Sequence, residues 1–458
     1  MTGNRGATYR TLLIALAALI ALPFVMWGGL TWQTGRALQA ELNKVRAAGA
    51  PLTMAQVAPP PVPDNQNAAL LYVKAFRYLR PGTALGQTYR DLAKEENPAR
   101  RRQLIAKLRP LLAANRRALT IAAQGARLPA SRLPVDWGKL DPLTSTLVFL
   151  KYTGNLRQLA RLFAAQGQVA SADGRVEEAV QSCLVGLRIA AHVSREPVLE
   201  VSRTGNSMQA IILRALTRVL KEHRVPPALC ALVSTQLGKI DVESPLRRAL
   251  FTLRVEGLTT LDYFQRRPSE VEDEEPNRLI ARLYMSRIGV PLRRSERVYY
   301  LRLMDRLITL SRRPYREVHS QLDDIEATAD YPPRGYLLMA LVFIPPSAAI
   351  TRDNAQTLIN GVRIILALKA YQAAYGAYPD SLAALRKYPR GAGAAPERGS
   401  RIQRWPLPDD PFSGKPFVYR RQGAGFILYS WGENLKDDGG NATADGGPPP
   451  DIVWKFER

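Results

Sequence analysis

Asp410-Pro411-Phe412-Ser413-Gly414-Lys415-Pro416-Phe417-Val418-Tyr419 is the run whose reading decides how the last quarter of this chain folds. Its first seven residues read as a turn, because proline fixes φ and glycine supplies a positive φ. Phe417-Val418-Tyr419 then begins a β-rich run. Phe426-Ile427-Leu428-Tyr429 is a second, joined to the first through Gln422-Gly423-Ala424-Gly425, which is a hairpin signal. Asp451-Ile452-Val453-Trp454 reads as a last strand. Upstream, Leu358, Ile359, Val362, Ile365 and Leu366 recur at helical spacing between residues 355 and 371. Arg363 lies toward the edge of that face and Lys369 interrupts it. Gly376 suits a left-handed C-terminal cap, Pro379 blocks continuation, and Asp380 or Ser381 caps a short helix over 382–385.

This order of parts resembles the C-terminal half of type II secretion pseudopilins, in particular the major pseudopilin. The matching pieces are the helix ending Ala374-Tyr375-Gly376-Ala377-Tyr378-Pro379, the turn and first strand quoted above, Leu428-Tyr429-Ser430-Trp431-Gly432, and an aspartate-rich loop before Asp451-Ile452. The whole chain is also similar to an uncharacterised family of bacterial membrane-anchored helical proteins, in which a Gly-Arg-Val-Glu-Glu-Ala segment (residues 174–179) precedes the Asp-Pro-Phe-Ser-Gly-Lys ending. Neither resemblance brings an enzymatic activity with it. One departure stands out: pseudopilins carry a Gly-Phe cleavage site followed closely by a glutamate. Here Gly6 is followed by Ala7-Thr8-Tyr9-Arg10-Thr11, so assembly as a pilin subunit is not expected.

The loop Asp437-Asp438-Gly439-Gly440-Asn441-Ala442-Thr443-Ala444-Asp445 offers clustered oxygens, and calcium takes about six to eight of them. The major pseudopilin binds calcium in the corresponding loop, so the resemblance implies a site using Asp437, Asp438, Asp445 and Asp451. Gly446-Gly447-Pro448-Pro449-Pro450 intervenes before Asp451 and departs from the family spacing. The other reading is a solvated, turn-rich surface loop.

The chain has 458 residues, room for two or three domains, and its 46% apolar and 23% charged content argues against wholesale disorder. Its net charge of +24 comes mostly from 51 arginines, which favours anionic partners such as lipid headgroups, nucleic acid or acidic polymers, although genomic base composition accounts for much of the arginine surplus. The two cysteines, Cys183 and Cys230, form no CxxC pair and read as two buried thiols, with one disulfide outside the cytoplasm as the alternative. His192, His223 and His319 lie far apart and show no metal-ligand spacing. No G-x-S-x-G, P-loop or dinucleotide fingerprint is present.

Residues 11–32 contain no charge and are long enough to span a bilayer. Trp27 and Trp32 suit the interface, and Arg5 and Arg10 flank the N-terminal side. The reading is an uncleaved signal anchor with residues 1–10 in the cytoplasm and the bulk of the chain outside. Pro-rich residues 33–63 form a spacer. Residues 64–334 read as an α-helical domain of packed hairpins, and 335–458 as the pseudopilin-like α+β module with an antiparallel sheet. Within the helical part, Asp64 or Asn65, Asn97-Pro98, Asp141-Pro142, Ser244-Pro245 and Ser295 are expected helix starts. Phe163, Gly167, Gly174 and Ala179 suggest a helical hairpin whose small residues allow close approach. The acidic run over 270–275 reads as a solvated loop. The apolar run over 336–344, bracketed by prolines, is too short to cross a bilayer and marks the expected domain junction.

The fold expected is therefore mainly α, with one transmembrane helix and a small C-terminal α+β module. The function expected is a non-enzymatic binding or scaffolding role at the bacterial inner membrane, accessory to secretion or pilus machinery, with an envelope protein as partner. Nucleic acid is not expected, and the residues identify no small-molecule substrate. The alternative is an extracytoplasmic hydrolase with its site in the helical domain.

Overall fold

The computed structural model describes residues 5–140, 145–267, 269, 278–330, 336, 348–387, 405, 407–443 and 450–457. Within them the helices are α1 (Arg5–Ala47), α2 (Met54–Val57), α3 (Ala68–Phe76), α4 (Thr83–Lys94), α5 (Pro98–Ala114), α6 (Arg116–Gly125), α7 (Ser145–Ala172) and α8 (Val176–Ser194). They continue with α9 (Leu199–Glu222), α10 (Pro227–Leu237), α11 (Glu243–Arg266), α12 (Arg278–Met285), α13 (Val290–Leu310), α14 (Tyr315–Asp330), α15 (Ala348–Tyr375) and α16 (Ala383–Lys387). Three strands follow: β1 (Val418–Gln422), β2 (Gly425–Ser430) and β3 (Ile452–Phe456). The chain is mainly helical with a small antiparallel sheet at its C-terminal end.

Local chemistry sets the helix ends. Asn97 caps α5 by accepting the N–H groups of Ala99 and Arg100, with Pro98 in the first turn, as expected. Three expected starts move. Asp64 and Asn65 fall in a 3₁₀ turn, and Asn67 caps α3 by accepting the Ala69 N–H. Asp241 accepts the N–H groups of Glu243 and Ser244, so α11 begins before Pro245. Ser295 lies inside α13, which starts at Val290 with Pro291 in its first turn. The Asp141-Pro142 start, the acidic run over 270–275 and all but one residue of the 336–344 run lie outside the described residues.

The chain divides into two compact units that are not consecutive in sequence. The first takes Met1–Val57, Phe251–Thr309 and Leu322–Pro346. In it the C-terminal half of α1 runs beside α13. Trp27 donates its indole N–H to the Ile288 carbonyl (3.1 Å), Arg294 reaches the Thr31 carbonyl (2.8 Å), and Arg302 pairs with the buried Glu41 (2.7 Å). Partner numbers rise together, so the two helices run in the same direction. Arg254 secures the chain after α1 by donating to the Pro51 carbonyl (3.1 Å). α1 is the one helix among the described residues long and apolar enough to cross a membrane, and its apolar stretch is wholly exposed.

The second unit takes Ala58–Leu250, Leu310–Gln321 and Ser347–Arg458. Its centre is the three-helix layer α7–α8–α9. Gly174 turns the α7–α8 hairpin with φ +75°, and a Cβ on Gly167 would stand 3.2 Å from the Ala179 carbonyl oxygen. The small residues thus do permit the close approach expected of them. Cys183 and Cys230 are free, buried thiols. Helix α15 packs against α9, α10 and β2. The sheet has the order β1-β2-β3, both pairs antiparallel, with Leu428 opposite Tyr419 on one side and Trp454 on the other. Every residue of the central strand β2 is buried. Gly423, at φ +56°, turns the hairpin where the sequence placed it.

Candidate functional site

The C-terminal module is organised by one carboxylate. Asp410 is 1% exposed and accepts four donors: the N–H groups of Phe412 (3.2 Å) and Ser413 (3.1 Å) in its own turn, and the Ser430 hydroxyl (2.6 Å) and Trp431 N–H (3.3 Å) at the end of β2. Backbone bonds from Gly414 N–H to the Asp410 carbonyl and from Asp410 N–H to the Lys415 carbonyl, both 2.8 Å, close the turn. Gly414 adopts φ +68°, which explains the glycine. The turn was readable in the sequence, but the role of Asp410 in tying it to β2 was not. Its only local signal was an aspartate preceding Pro-Phe-Ser, the arrangement of an Asx turn.

Helix α15 adds a second polar cluster beside the turn. Arg352 Nε pairs with Asp353 Oδ1 (2.7 Å), and its terminal nitrogens donate to the Ser311 and Arg313 carbonyls, the latter at 2.7 Å. The other Asp353 oxygen accepts the N–H of Tyr315 at the start of α14 (2.7 Å), and Arg316 donates to the Pro411 carbonyl (2.9 Å). Arg352 and Asp353 are both buried, and a buried pair of this kind is tolerable only when its remaining hydrogen bonds are also made. A polar cavity of about 510 Å³ lies here, lined among others by Asp241, Arg312, Arg316, Arg352, Asn360 and Asp409. A second cavity, of about 550 Å³, is lined by β3 residues 452–455 together with Arg214, Arg218 and Lys221 of α9. Arg218 is paired with Glu96 (2.8 Å) and Glu222 (2.7 Å), so part of that basic charge is answered within the protein.

The aspartates of the β2–β3 loop are placed as follows. Asp437 Oδ1 accepts the Tyr429 hydroxyl (2.9 Å) and the Gly439 N–H (3.0 Å), and Asp438 Oδ2 accepts the Asn434 side-chain amide (2.7 Å). Asp451 is buried and accepts the N–H groups of Asp438 (3.3 Å) and Gly440 (2.6 Å). Asp445 lies outside the described residues. Burial raises the Asp451 carboxyl above its ordinary range, with the neighbouring Asp438 and Asp437 carboxylates adding to the effect. Among the described residues no three His, Cys, Asp or Glu side chains converge as a metal needs. What is described is a hydrogen-bonded loop in which Asp437, Asp438 and Asp451 each accept hydrogen bonds from the protein.

A buried polar cluster sits in the helical layer. His192 Nδ1 lies 2.7 Å from the Tyr72 hydroxyl, and burial lowers the imidazole to about 4. One turn on, burial pushes the Glu196 carboxyl up to about 7, while its Oε1 accepts the Leu133 N–H (2.7 Å). Neither residue lines either cavity described above, and both are held by neighbours in the core. The two hydrogen bonds link α8 and the turn after it to α3 and to the chain before Trp137.

A family model described as type II secretion system (T2SS), protein G, matches residues 347–447. That range begins at the foot of α15 and ends in the aspartate-rich loop, so the C-terminal region is pseudopilin-like, as the motifs suggested. No curated protein and no solved structure matches the chain.

Proposed function

We propose that this chain is a single-pass inner-membrane protein whose bulk lies outside the cytoplasm, and that it has a non-enzymatic binding or scaffolding role accessory to secretion or pilus machinery. The observation that supports the reading is that the pseudopilin-like match covers residues 347–447, which include their own helix α15 packed against β2, while the apolar helix α1 occupies residues 5–47. Anchor and module are thus separate parts of one chain. Such a chain can present a pseudopilin-like surface to an envelope partner while staying in the membrane.

Affinity purification of the full chain from detergent-solubilised membranes tests this, with C-terminal reporter fusions fixing topology. Components of a secretion or pilus apparatus are expected to co-purify, and a periplasmic reporter is expected to be active. A cytoplasmic C-terminus, or recovery of no such component, overturns the proposal.

We also propose that the β2–β3 loop takes calcium. Its support is the placement of Asp437, Asp438 and Asp451 on one loop, where Asp451 accepts the Asp438 N–H (3.3 Å) and its carboxyl is raised by burial first and by the neighbouring carboxylates second. Calorimetry on the full chain in detergent is expected to show calcium heat that Asp437→Asn abolishes. At a tenfold excess over the dissociation constant, stabilisation should be about 1.4 kcal/mol. No heat and no shift in the melt would remove calcium.

A further inference from the structure

We propose that residues 278–292, comprising α12 and the start of α13, lie in the headgroup layer of the membrane as a second, non-spanning contact. The proposal rests on α1 being a span. The sequence is Arg278-Leu279-Ile280-Ala281-Arg282-Leu283-Tyr284-Met285-Ser286-Arg287-Ile288-Gly289-Val290-Pro291-Leu292. Its apolar residues divide into two sets. Ala281 and Tyr284 turn inward, where Tyr284 donates to Glu296 and its own carbonyl accepts from the buried Arg293. Leu279, Leu283 and Ile288 turn outward and are 67%, 48% and 66% exposed, with Ile280 and Leu292 beside them. Each such side chain forgoes about 1.5–3 kcal/mol of burial free energy while it faces water. Exposed apolar groups gathered on one segment mark an interaction surface, whereas scattered ones need no explanation.

Position identifies what covers this surface. Ile288 accepts the Trp27 indole N–H at 3.1 Å, and Arg294 binds the Thr31 carbonyl one turn farther along α1. These contacts bring residue 288 to the level of Trp27, within the last turns of the exposed apolar stretch of α1. If α1 crosses a bilayer, hydrocarbon gives way to headgroups at this level, where tryptophan indoles concentrate. Charge agrees. Residues 278–295 hold five arginines and no acidic residue, and Arg278, Arg282 and Arg287 are exposed. Arginine stems can lie along the apolar surface while their guanidiniums reach lipid phosphates. A short helix with leucines on one face and arginines flanking them is the composition of an interfacial helix on an anionic membrane.

Single cysteines in the full chain, carrying an environment-sensitive fluorophore, test the proposal. Cys183 and Cys230 are buried and stay unlabelled in the folded protein. The sites are Leu283→Cys and Ile288→Cys, with Leu19→Cys in the apolar stretch and Asn43→Cys about 24 Å farther along α1 than Trp27 as references. In vesicles of phosphatidylcholine and phosphatidylglycerol, probes at 283 and 288 should be quenched several-fold more by a headgroup-proximal nitroxide lipid than the probe at 43. They should also resist aqueous iodide, and Arg287→Gln should weaken the dependence on phosphatidylglycerol. If 283 and 288 respond to iodide as 43 does while 19 stays deep, the span stands and the proposal falls. If 19 is also aqueous, the span reading itself fails. Protection from both quenchers would mean that protein covers the segment, which overturns the lipid assignment.

Discussion

Helices α1 and α15 are built from similar stocks of Leu, Ile, Ala and Val, yet they meet opposite surroundings. Along α1 the side chains from Leu13 to Leu30 are exposed on every face. Along α15, Ile359, Val362, Ile364, Ile365, Leu366 and Leu368 are buried. The difference follows from where each helix puts its polar groups. The apolar stretch of α1 has none that is charged, so it can sit in hydrocarbon without an unmet group. Helix α15 carries Arg352, Asp353, Asn354, Thr357, Asn360 and Lys369, and most find partners in the protein: the α14 start, Glu433, the Asp409 carbonyl and Gln372. Apolar content alone separates neither case. Polar residues whose partners can come only from the protein mark the helix that belongs in the core.

The largest effect that sharpens this contrast is expected where α15 meets the sheet. A Cβ on Gly361 would stand 2.2 Å from Trp454 Cη2, so the glycine exists to seat the indole. Trp454→Ala should cost about 3–5 kcal/mol in denaturant unfolding of the full chain in detergent. Gly361→Val should cost about 1–3 kcal/mol through overpacking. The double variant should recover part of the loss, because the valine enters the space the indole vacates. Strict additivity would show that the two residues are not in contact.

Next comes Asp410→Ala, which leaves the Ser430 hydroxyl and three N–H groups without their acceptor. About 3 kcal/mol is expected, since stranding buried donors costs more than a hydrogen bond contributes. Asp410→Asn keeps one acceptor oxygen and should lose roughly half as much. Equal losses for the two would argue that shape at this position matters more than the four bonds.

These two predictions also mark how far the residues speak for themselves. The α15 periodicity, the 410–416 turn, the Gly423 hairpin and the last strand are local patterns, and each appears where its residues put it. The apolar stretch of α1 is similarly local, a run without charge. Asp410 reaching Ser430, and Asp353 capping Tyr315, depend on neighbours 20 and 38 positions away. No window of sequence contains those pairs. The interleaving of the two units is equally non-local, because the helices that cover the end of α1 come from residues beyond 250.

A third test concerns the buried pair in the helical layer, where two opposite pH effects coincide. Glu196 goes from 4.5 unfolded to about 7 folded, so its folded state holds more protons between those values and stability falls as pH rises through that window. His192 goes from 6.5 to about 4, so its folded state holds fewer protons and stability rises between pH 4 and 6.5. Each contributes on the order of 3 kcal/mol, and in the native chain they largely offset. Glu196→Gln should therefore expose a rising melt between pH 4 and 6.5, and His192→Gln a falling one between 4.5 and 7. Matching profiles for both variants would show that the two groups do not titrate as buried side chains.

The smallest expected effect breaks the comparison most directly if it fails. Leu19 on α1 is 69% exposed within the protein, so Leu19→Ala removes no packing contact and should change unfolding in detergent by less than about 0.5 kcal/mol. The same truncation at Leu366 of α15, which is fully buried, should cost about 2–5 kcal/mol. Leu19→Arg should leave detergent unfolding as undisturbed as the alanine variant, yet oppose membrane insertion by about 2.5–3.5 kcal/mol in a glycosylation-mapping assay. Stability lost on Leu19→Ala to the extent of Leu366→Ala would mean that the apolar stretch of α1 packs against protein, and α1 would then be a core helix like α15.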